Sequence, residues 1–244
     1  MDLIRIFQKI TNRAGISIRP YKASTHPDKR LSQTLKHFKI DAILDIGANT
    51  GQFAVKLLDN GFKGLIFSFE PLSSCHDVLI SKSKKYNNWK IYEKGALGSE
   101  NTETFINVSE NSVSSSLLDI KETHLQGEPS SRYISKEKIV VRRLDDIFDK
   151  LSIHNKNIFL KIDVQGFEME VLKGAETTIN QATLVSVELS LVPVYENGDM
   201  LYKDVINYFE ERGFYLYGFQ TAFVDNQTGQ VLQADGIFAK SVIS

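Results

Sequence analysis

The residues with the clearest chemical meaning form the run Leu44-Asp45-Ile46-Gly47-Ala48-Asn49-Thr50-Gly51-Gln52-Phe53, an apolar strand pattern that meets an acid and turns through two glycines into a helical pattern. Glycine at 47 and 51 lets the backbone pass under a ligand where a side chain would clash. A dinucleotide site needs glycines at the first, third and sixth positions, so that pyrophosphate reaches the helix N-terminus. Counted from Gly47, the later two places hold Asn49 and Gln52. No Lys-Ser or Lys-Thr follows, which excludes a Walker A loop. The loop therefore suits a ligand that presents a cation and no phosphate. S-adenosylmethionine, with its ammonium and sulfonium, is such a ligand, and Asp45 favours it. Glu70 lies 25 residues on, at the end of the next apolar run. An acid there can accept both hydroxyls of a ribose.

A second constellation is Phe159-Leu160-Lys161-Ile162-Asp163-Val164-Gln165-Gly166-Phe167-Glu168. As a strand, it puts Lys161 and Asp163 on one face and Leu160, Ile162 and Val164 on the other. In a doubly wound sheet the ligand crevice lies beyond the C-terminal strand ends, and Asp45, Asp163 and Glu188 are expected there. Lys161 would neutralise part of an acidic cluster that is costly to bury unpaired. Methyl transfer to an acceptor that must lose a proton needs a base. Asp163 and Glu188 are the candidates, because a partly desolvated carboxylate has a raised pKa. Two blander readings stand beside this: Asp163 only orients the cofactor, or it forms an ion pair without catalytic duty.

Positioning these residues requires strands that alternate with helices, and the chain supplies them. Strand patterns are expected at Ala42 to Ile46, Leu65 to Phe69, Trp89 to Tyr92, Asn157 to Val164 and Leu184 to Leu189. Helical patterns follow each glycine or proline break, including a single apolar stripe from Phe167 to Ile179. Two last runs, Tyr215 to Phe219 and Val231 to Ala239, flank the turn Asp225 to Gly229 and must pair antiparallel. Between Ser99 and Ile139 lies a Ser-, Thr- and Asn-rich insert in which only Glu103 to Val108 alternates like a strand. So long a polar segment inside a domain is usually functional or mobile. Ser114 to Ser116 there could bind the hydroxyls of a substrate, although a serine run is more commonly a solvated loop, and His124 is the one histidine of the five worth watching.

The 244 residues allow one large α/β domain. The 29 basic and 30 acidic residues nearly cancel, so nothing points to a nucleic-acid partner. One cysteine, Cys75, rules out an intrachain disulfide and fits a soluble protein of the cytoplasm. No histidine has ligand spacing, and two carboxylates are too few to expect a metal. The expected boundaries are 1–38, an amphipathic helix and linker broken by Pro20 and Pro27, and 39–244, the catalytic domain. Leu3, Ile4, Ile6, Phe7 and Ile10 alternate with Arg5, Lys9 and Arg13 at helical spacing. Such a helix either packs on the domain or on a partner subunit, as in a homodimer, or attaches weakly to an anionic membrane surface.

The runs LDIGANTGQF, FSFEP, LDD at Leu144 to Asp146, LKIDVQGFEMEVLKGA and VSVEL resemble the FkbM family of methyltransferases. So does the tail, with its Tyr-rich stretch and Gly213-Phe214. The resemblance spans about residues 40 to 240. It implies a Rossmann-like, seven-stranded class I methyltransferase fold with a C-terminal antiparallel hairpin. It further implies S-adenosylmethionine as cofactor and O-methylation of a hydroxyl on a sugar, glycan or related natural product. The implied cofactor contacts are Asp45, Gly47, Ala48, Asn49, Gly51, Phe53, Glu70, Pro71, Gly95, Ala96 and Asp163. Among them Asp45, Gly47, Asn49 and Gly51 would hold the methionine end, Glu70 the ribose, and Gly95 and Ala96 the adenine. Asp163 would stand beside the methyl group. Gln165 occupies a place where many relatives have Glu, which argues against a catalytic carboxylate there. Other acceptors, including a different small molecule or a protein side chain, stay open, as does a non-catalytic cofactor-binding subunit.

Overall fold

The computed structural model describes residues 3–118, 129–193 and 201–241. The chain divides into two compact units, Met1–Lys39 and Ile40–Ser244. In the smaller unit helix α1 (Leu3–Arg13) precedes helix α2 (Pro27–His37). The expectation that Pro27 breaks structure is corrected here, since it opens α2. At the first helical position proline has no N–H bond to lose and its fixed φ is already helical.

The larger unit runs β1 (Ala42–Ile46), α3 (Gln52–Asp59), β2 (Leu65–Phe69), α4 (Ser73–Ser83), β3 (Trp89–Ile91), β4 (Ala96–Leu97), β5 (Thr102–Ser109) and β6 (Tyr133–Arg142). It continues with α5 (Leu144–Ile147), β7 (Ile158–Ile162), α6 (Glu168–Lys173), α7 (Glu176–Gln181), β8 (Ala182–Ser190), α8 (Tyr202–Glu210), β9 (Phe214–Val224) and β10 (Val231–Lys240). The main sheet has seven strands in the order β3-β2-β1-β7-β8-β10-β9. The strands β3, β2, β1, β7 and β8 are mutually parallel, and β10 is antiparallel to both β8 and β9. This is the doubly wound sheet with a C-terminal hairpin that the alternation predicts. The chain walks outward from β1 to β3 and then jumps back to β7, so the switch point lies between β1 and β7. Their C-terminal ends open the crevice in which such folds bind ligands.

Every residue of β1 is buried, which is why the strand is apolar except at Asp45. One face of the sheet, with Leu44, Leu160, Ile162, Val185 and Val187, packs on Leu144, Leu172, Ile179, Val205 and Phe209 from the helices. The stripe from Phe167 to Ile179 is two helices, not one. A Cβ at Gly174 would stand 1.8 Å from the Gly98 carbonyl oxygen, so the chain breaks where two backbones touch. Asp145 restarts it, accepting the N–H groups of Thr177 and Thr178 at 3.0 and 2.9 Å.

The polar insert contains more order than its composition predicts. Strand β6 pairs with β5 along its length and with β4 at its end, making a second, three-stranded sheet. Its first half, Tyr133 to Lys138, is too charged to read as a strand in sequence, because that half is held by pairing with β5 and is not buried in a core. The buried half places Ile139 and Val141 with Ile106, Leu72 and Cys75 in a second small core.

Candidate functional site

A cavity opens at the C-terminal ends of β1, β2 and β7. Its walls come from the loop after β1 (Gly47, Asn49), the end of β2 (Glu70, Pro71), β4 with the residue before it (Gly95, Ala96, Leu97), and the loop after β7 (Asp163, Val164, Gln165, Phe167). The insert supplies the remaining wall with Ile106, Ser112, Val113, Ser115 and Leu117. Among the described residues no Lys, Arg or His lines it, whereas two carboxylates do.

The loop after β1 uses all of its own amides. Gly47 N and Ala48 N donate to the Phe69 carbonyl at 3.1 and 3.0 Å, Gly51 N donates to the Ala48 carbonyl, Asn49 N to Glu70 Oε2 and Thr50 N to Asn49 Oδ1. A phosphate cradle needs such N–H groups free. The two glycines are required by the protein's own packing. Gly47 has φ +76°, and a Cβ on it would stand 1.8 Å from the Asp163 carbonyl oxygen. Gly51 has φ +81°, and a Cβ there would enter the Trp89 ring at 2.5 Å. Gly51 thus clears Trp89, and it is not among the residues that line the cavity.

Glu70 is 4% exposed and accepts Asn49 N at 2.8 Å on one oxygen and Leu72 N at 2.9 Å on the other. Burial pushes its carboxyl up to about 7, against those two amides, which favour the charge. Glu168 behaves alike. It is buried, accepts the N–H of Val164 and of Gly166 at 3.2 Å, and is pushed by burial to about 7. It thereby ties down the loop that carries Asp163, a role the sequence reading missed.

Asp163 lines the cavity. Gln165 Nε2 donates to its Oδ1 at 2.8 Å and Lys161 Nζ stands 3.3 Å from its Oδ2. Gln165 itself has φ +56°, a strained value for a residue with a side chain, and its carbonyl accepts Ser116 Oγ at 2.6 Å. Lys161 reaches back to Asp45 Oδ1, also at 3.3 Å, and lies 5.3 Å over the Phe53 ring. Burial works against its charge, yet Asp163 and Asp45 outweigh that and raise its pKa. Asp45 is fully buried, bound at Oδ2 by Ser68 Oγ at 3.1 Å, and burial raises its pKa.

Several of the expected site residues lie outside the cavity lining. Asp45, Ala48 and Phe53 do not line the cavity, because the β1 strand is covered and its acid is turned onto Lys161 and Ser68. Lys161 also sits behind the wall, between the two acids. Glu188 lies inside β8, two residues before its end, and accepts the Gln233 amide away from the cavity. The structure brings Gly47, Asn49, Glu70, Pro71, Gly95, Ala96 and Asp163 together. Ser114 and Ser116 are buried in contacts with Ser131 and Gln165, leaving Ser112 and Ser115 on the wall. His124 lies outside the described residues. Asp235, paired with Glu188 across β10 and β8, was not singled out in sequence; burial raises its pKa to about 6, and Asp163 adds to that. Its local sign is an acid in the middle of a strand whose other charged residue is the terminal Lys240.

Raised carboxyl pKa values carry a stability consequence. Between pH 4.5 and about 7 the folded chain holds protons on Glu70 and Glu168 that the unfolded chain has released. Their contribution is therefore full below pH 4.5 and is lost as pH rises towards 7, on the order of 3 kcal/mol for each group. Melting curves of Glu70→Gln and Glu168→Gln should fall less steeply between pH 5 and 7 than wild type. Parallel curves would contradict it.

Residues 45–216 match a family model described as the methyltransferase FkbM domain. The AMB antimetabolite synthetase AmbE of Pseudomonas aeruginosa is 24% identical over 184 residues, covering 64% of this chain and 8% of that protein. The chain thus spans less than a tenth of that relative's length. A crystal structure of methyltransferase FkbM from Methylobacillus flagellatus KT superposes with a TM-score of 0.50 at 15% identity, over 82% of this chain and 43% of that one. An uncharacterized protein of Listeria monocytogenes serotype 4b also reaches 0.50, at 11% identity over 88% of this chain and 68% of that one. With the strand order above, these likenesses show a Rossmann-like class I methyltransferase fold.

Proposed function

We propose that this chain, which belongs to the FkbM methyltransferase family, uses S-adenosylmethionine to methylate a hydroxyl of a sugar, glycan or related natural product. The observation that carries the cofactor assignment is the pairing of a loop with no free amide and a cavity that, among the described residues, has two acids and no basic side chain. Such a site disfavours phosphate and favours a ligand bearing an ammonium and a sulfonium. The apolar wall of Leu72, Ala96, Leu97, Ile106, Leu117 and Phe167 fits an adenine ring, and Glu70 at its border fits a ribose. When bound, the cofactor supplies a methyl carbon activated by positive sulfur.

The chain's own residues then have separable tasks. Glu70 and Asn49 hold the donor, with Gly47, Pro71, Gly95 and Ala96 shaping its bed. Asp163 would accept the proton that the acceptor hydroxyl releases when the methyl group passes from sulfur to oxygen and the neutral thioether leaves. Lys161 and Gln165 fix the direction of the Asp163 oxygens, so that the hydroxyl meets a carboxylate already in place. The acceptor class follows from the family resemblance, and the name of AmbE, a synthetase of an antimetabolite, supports a natural-product acceptor. Among the described residues no helix is long and apolar enough to cross a membrane. With Cys75 the single cysteine, this supports a place in the cytoplasm.

Titration calorimetry with S-adenosylmethionine tests the assignment. Wild type should bind, and Glu70→Ala should weaken binding by about tenfold to a hundredfold, the effect of losing a charge-assisted bond to the ligand. Affinity should also rise from pH 6 to 8, because the ribose favours a charged Glu70 whose carboxyl in the free protein lies at about 7. Absence of wild-type binding would sink the reading.

A further inference from the structure

Helix α1 and the turn that follows it carry chemistry that methyl transfer does not use. From Leu3 to Pro27 the chain holds Arg5, Lys9, Arg13, Arg19 and Lys22 and no Asp or Glu, in a protein of net charge −1. Arg5, Lys9 and Arg13 recur every four residues and so share one side of α1. Ile6, Phe7 and Ile10 form a separate apolar stripe. That stripe is exposed, Phe7 at 58% and Ile10 at 62%. Ile16 and Ile18 beyond the turn are exposed as well. Gln8 Nε2 donates to the Ile18 carbonyl at 3.0 Å, and Ile16 N donates to the Thr11 carbonyl at 2.8 Å, so the returning backbone lies along the helix.

Large apolar side chains gathered in water mark a surface that another phase covers. The surrounding charge says that this phase is anionic. A nucleic acid would satisfy the charge and leave the isoleucines and phenylalanine in water. An anionic bilayer satisfies both, by apolar burial and by attraction to its headgroups. We propose that α1 and the segment through Ile18 bind the surface of an anionic lipid bilayer. The helix lies in the headgroup plane with Phe7 and Ile10 among the acyl chains. Arg5, Lys9 and Arg13 extend their long side chains to lipid phosphates.

The test uses the full chain and sedimentation with vesicles of mixed phosphatidylcholine and phosphatidylglycerol, compared with phosphatidylcholine alone. Wild type should bind the mixed vesicles and leave the neutral ones. Replacing Arg5, Lys9 and Arg13 together by glutamine should lower binding on the order of 100-fold, since each basic residue near such a surface contributes about equally. Phe7→Ser with Ile10→Ser keeps the charge and should lower binding by more than about tenfold. A melting curve on each variant, compared with wild type, separates lost binding from lost folding. The proposal is overturned if wild type ignores the mixed vesicles or if the Phe7 and Ile10 substitutions leave binding intact. It is equally overturned if a random-sequence RNA binds as tightly as the vesicles and loses nothing with those two substitutions.

Discussion

Asp163→Asn is expected to lower methyl transfer by about 10²–10⁴-fold, the span that a positioned base contributes, while keeping the fold at a lowered melting temperature, since Lys161 loses one of its two counter-ions. Asn keeps the shape and removes the basicity. Of the acids on this face of the sheet, Asp45, Asp163, Glu188 and Asp235, only Asp163 lines the cavity, and its side chain is 40% exposed there. Its two oxygens are already oriented by Gln165 and Lys161, so no rearrangement is needed when an acceptor arrives. The measurement is transfer of a labelled methyl group to an acceptor found by screening cell-extract fractions. Full activity in Asp163→Asn would remove it from the proton transfer.

The second large effect is on stability. Lys161→Met should cost about 3–5 kcal/mol, because it strands a buried carboxylate. Asp45 is wholly buried, and Lys161 is its counter-ion at 3.3 Å; the pair leaves Asp45 Oδ1 without an aligned hydrogen bond. Ser68 alone would then face the charge, itself held by Trp89 Nε1 at 2.9 Å. Asp45→Asn combined with Lys161→Met removes the stranded charge and should recover much of the loss. Denaturant midpoints of the two single variants and the double variant decide the matter. A double variant as unstable as Lys161→Met would show that the cost lies in packing over Phe53 and not in charge.

These two variants also show what was readable in advance. Lys161 and Asp163 were legible as one polar face on a buried strand, since side-chain alternation is a local rule. Strands β1 and β2 begin and end where their apolar runs begin and end, because Gly47 and Pro71 punctuate them locally. Strand β6 was half hidden, because its charged half is held by a partner 24 to 33 residues away in Phe105 to Ser109 and not by its own pattern.

The same division runs through the site. By itself the sequence determined the alternation of strands and helices, the acids at strand ends and the lack of a phosphate-binding glycine pattern, all of which are short-range in the chain. Only the tertiary structure decided which acid meets the cavity. The parallel registers that place Asp45 beside Lys161 and Ser68 are made by strands distant in sequence, and they turn Asp45 inward as a structural ion. The packing of Trp89 on Gly51 and the return of Ser112 to Leu117 over the cleft are likewise contacts between distant segments. A residue's type and spacing announce that it can carry charge; whether that charge serves a ligand or the core depends on which neighbours folding brings within about 4 Å.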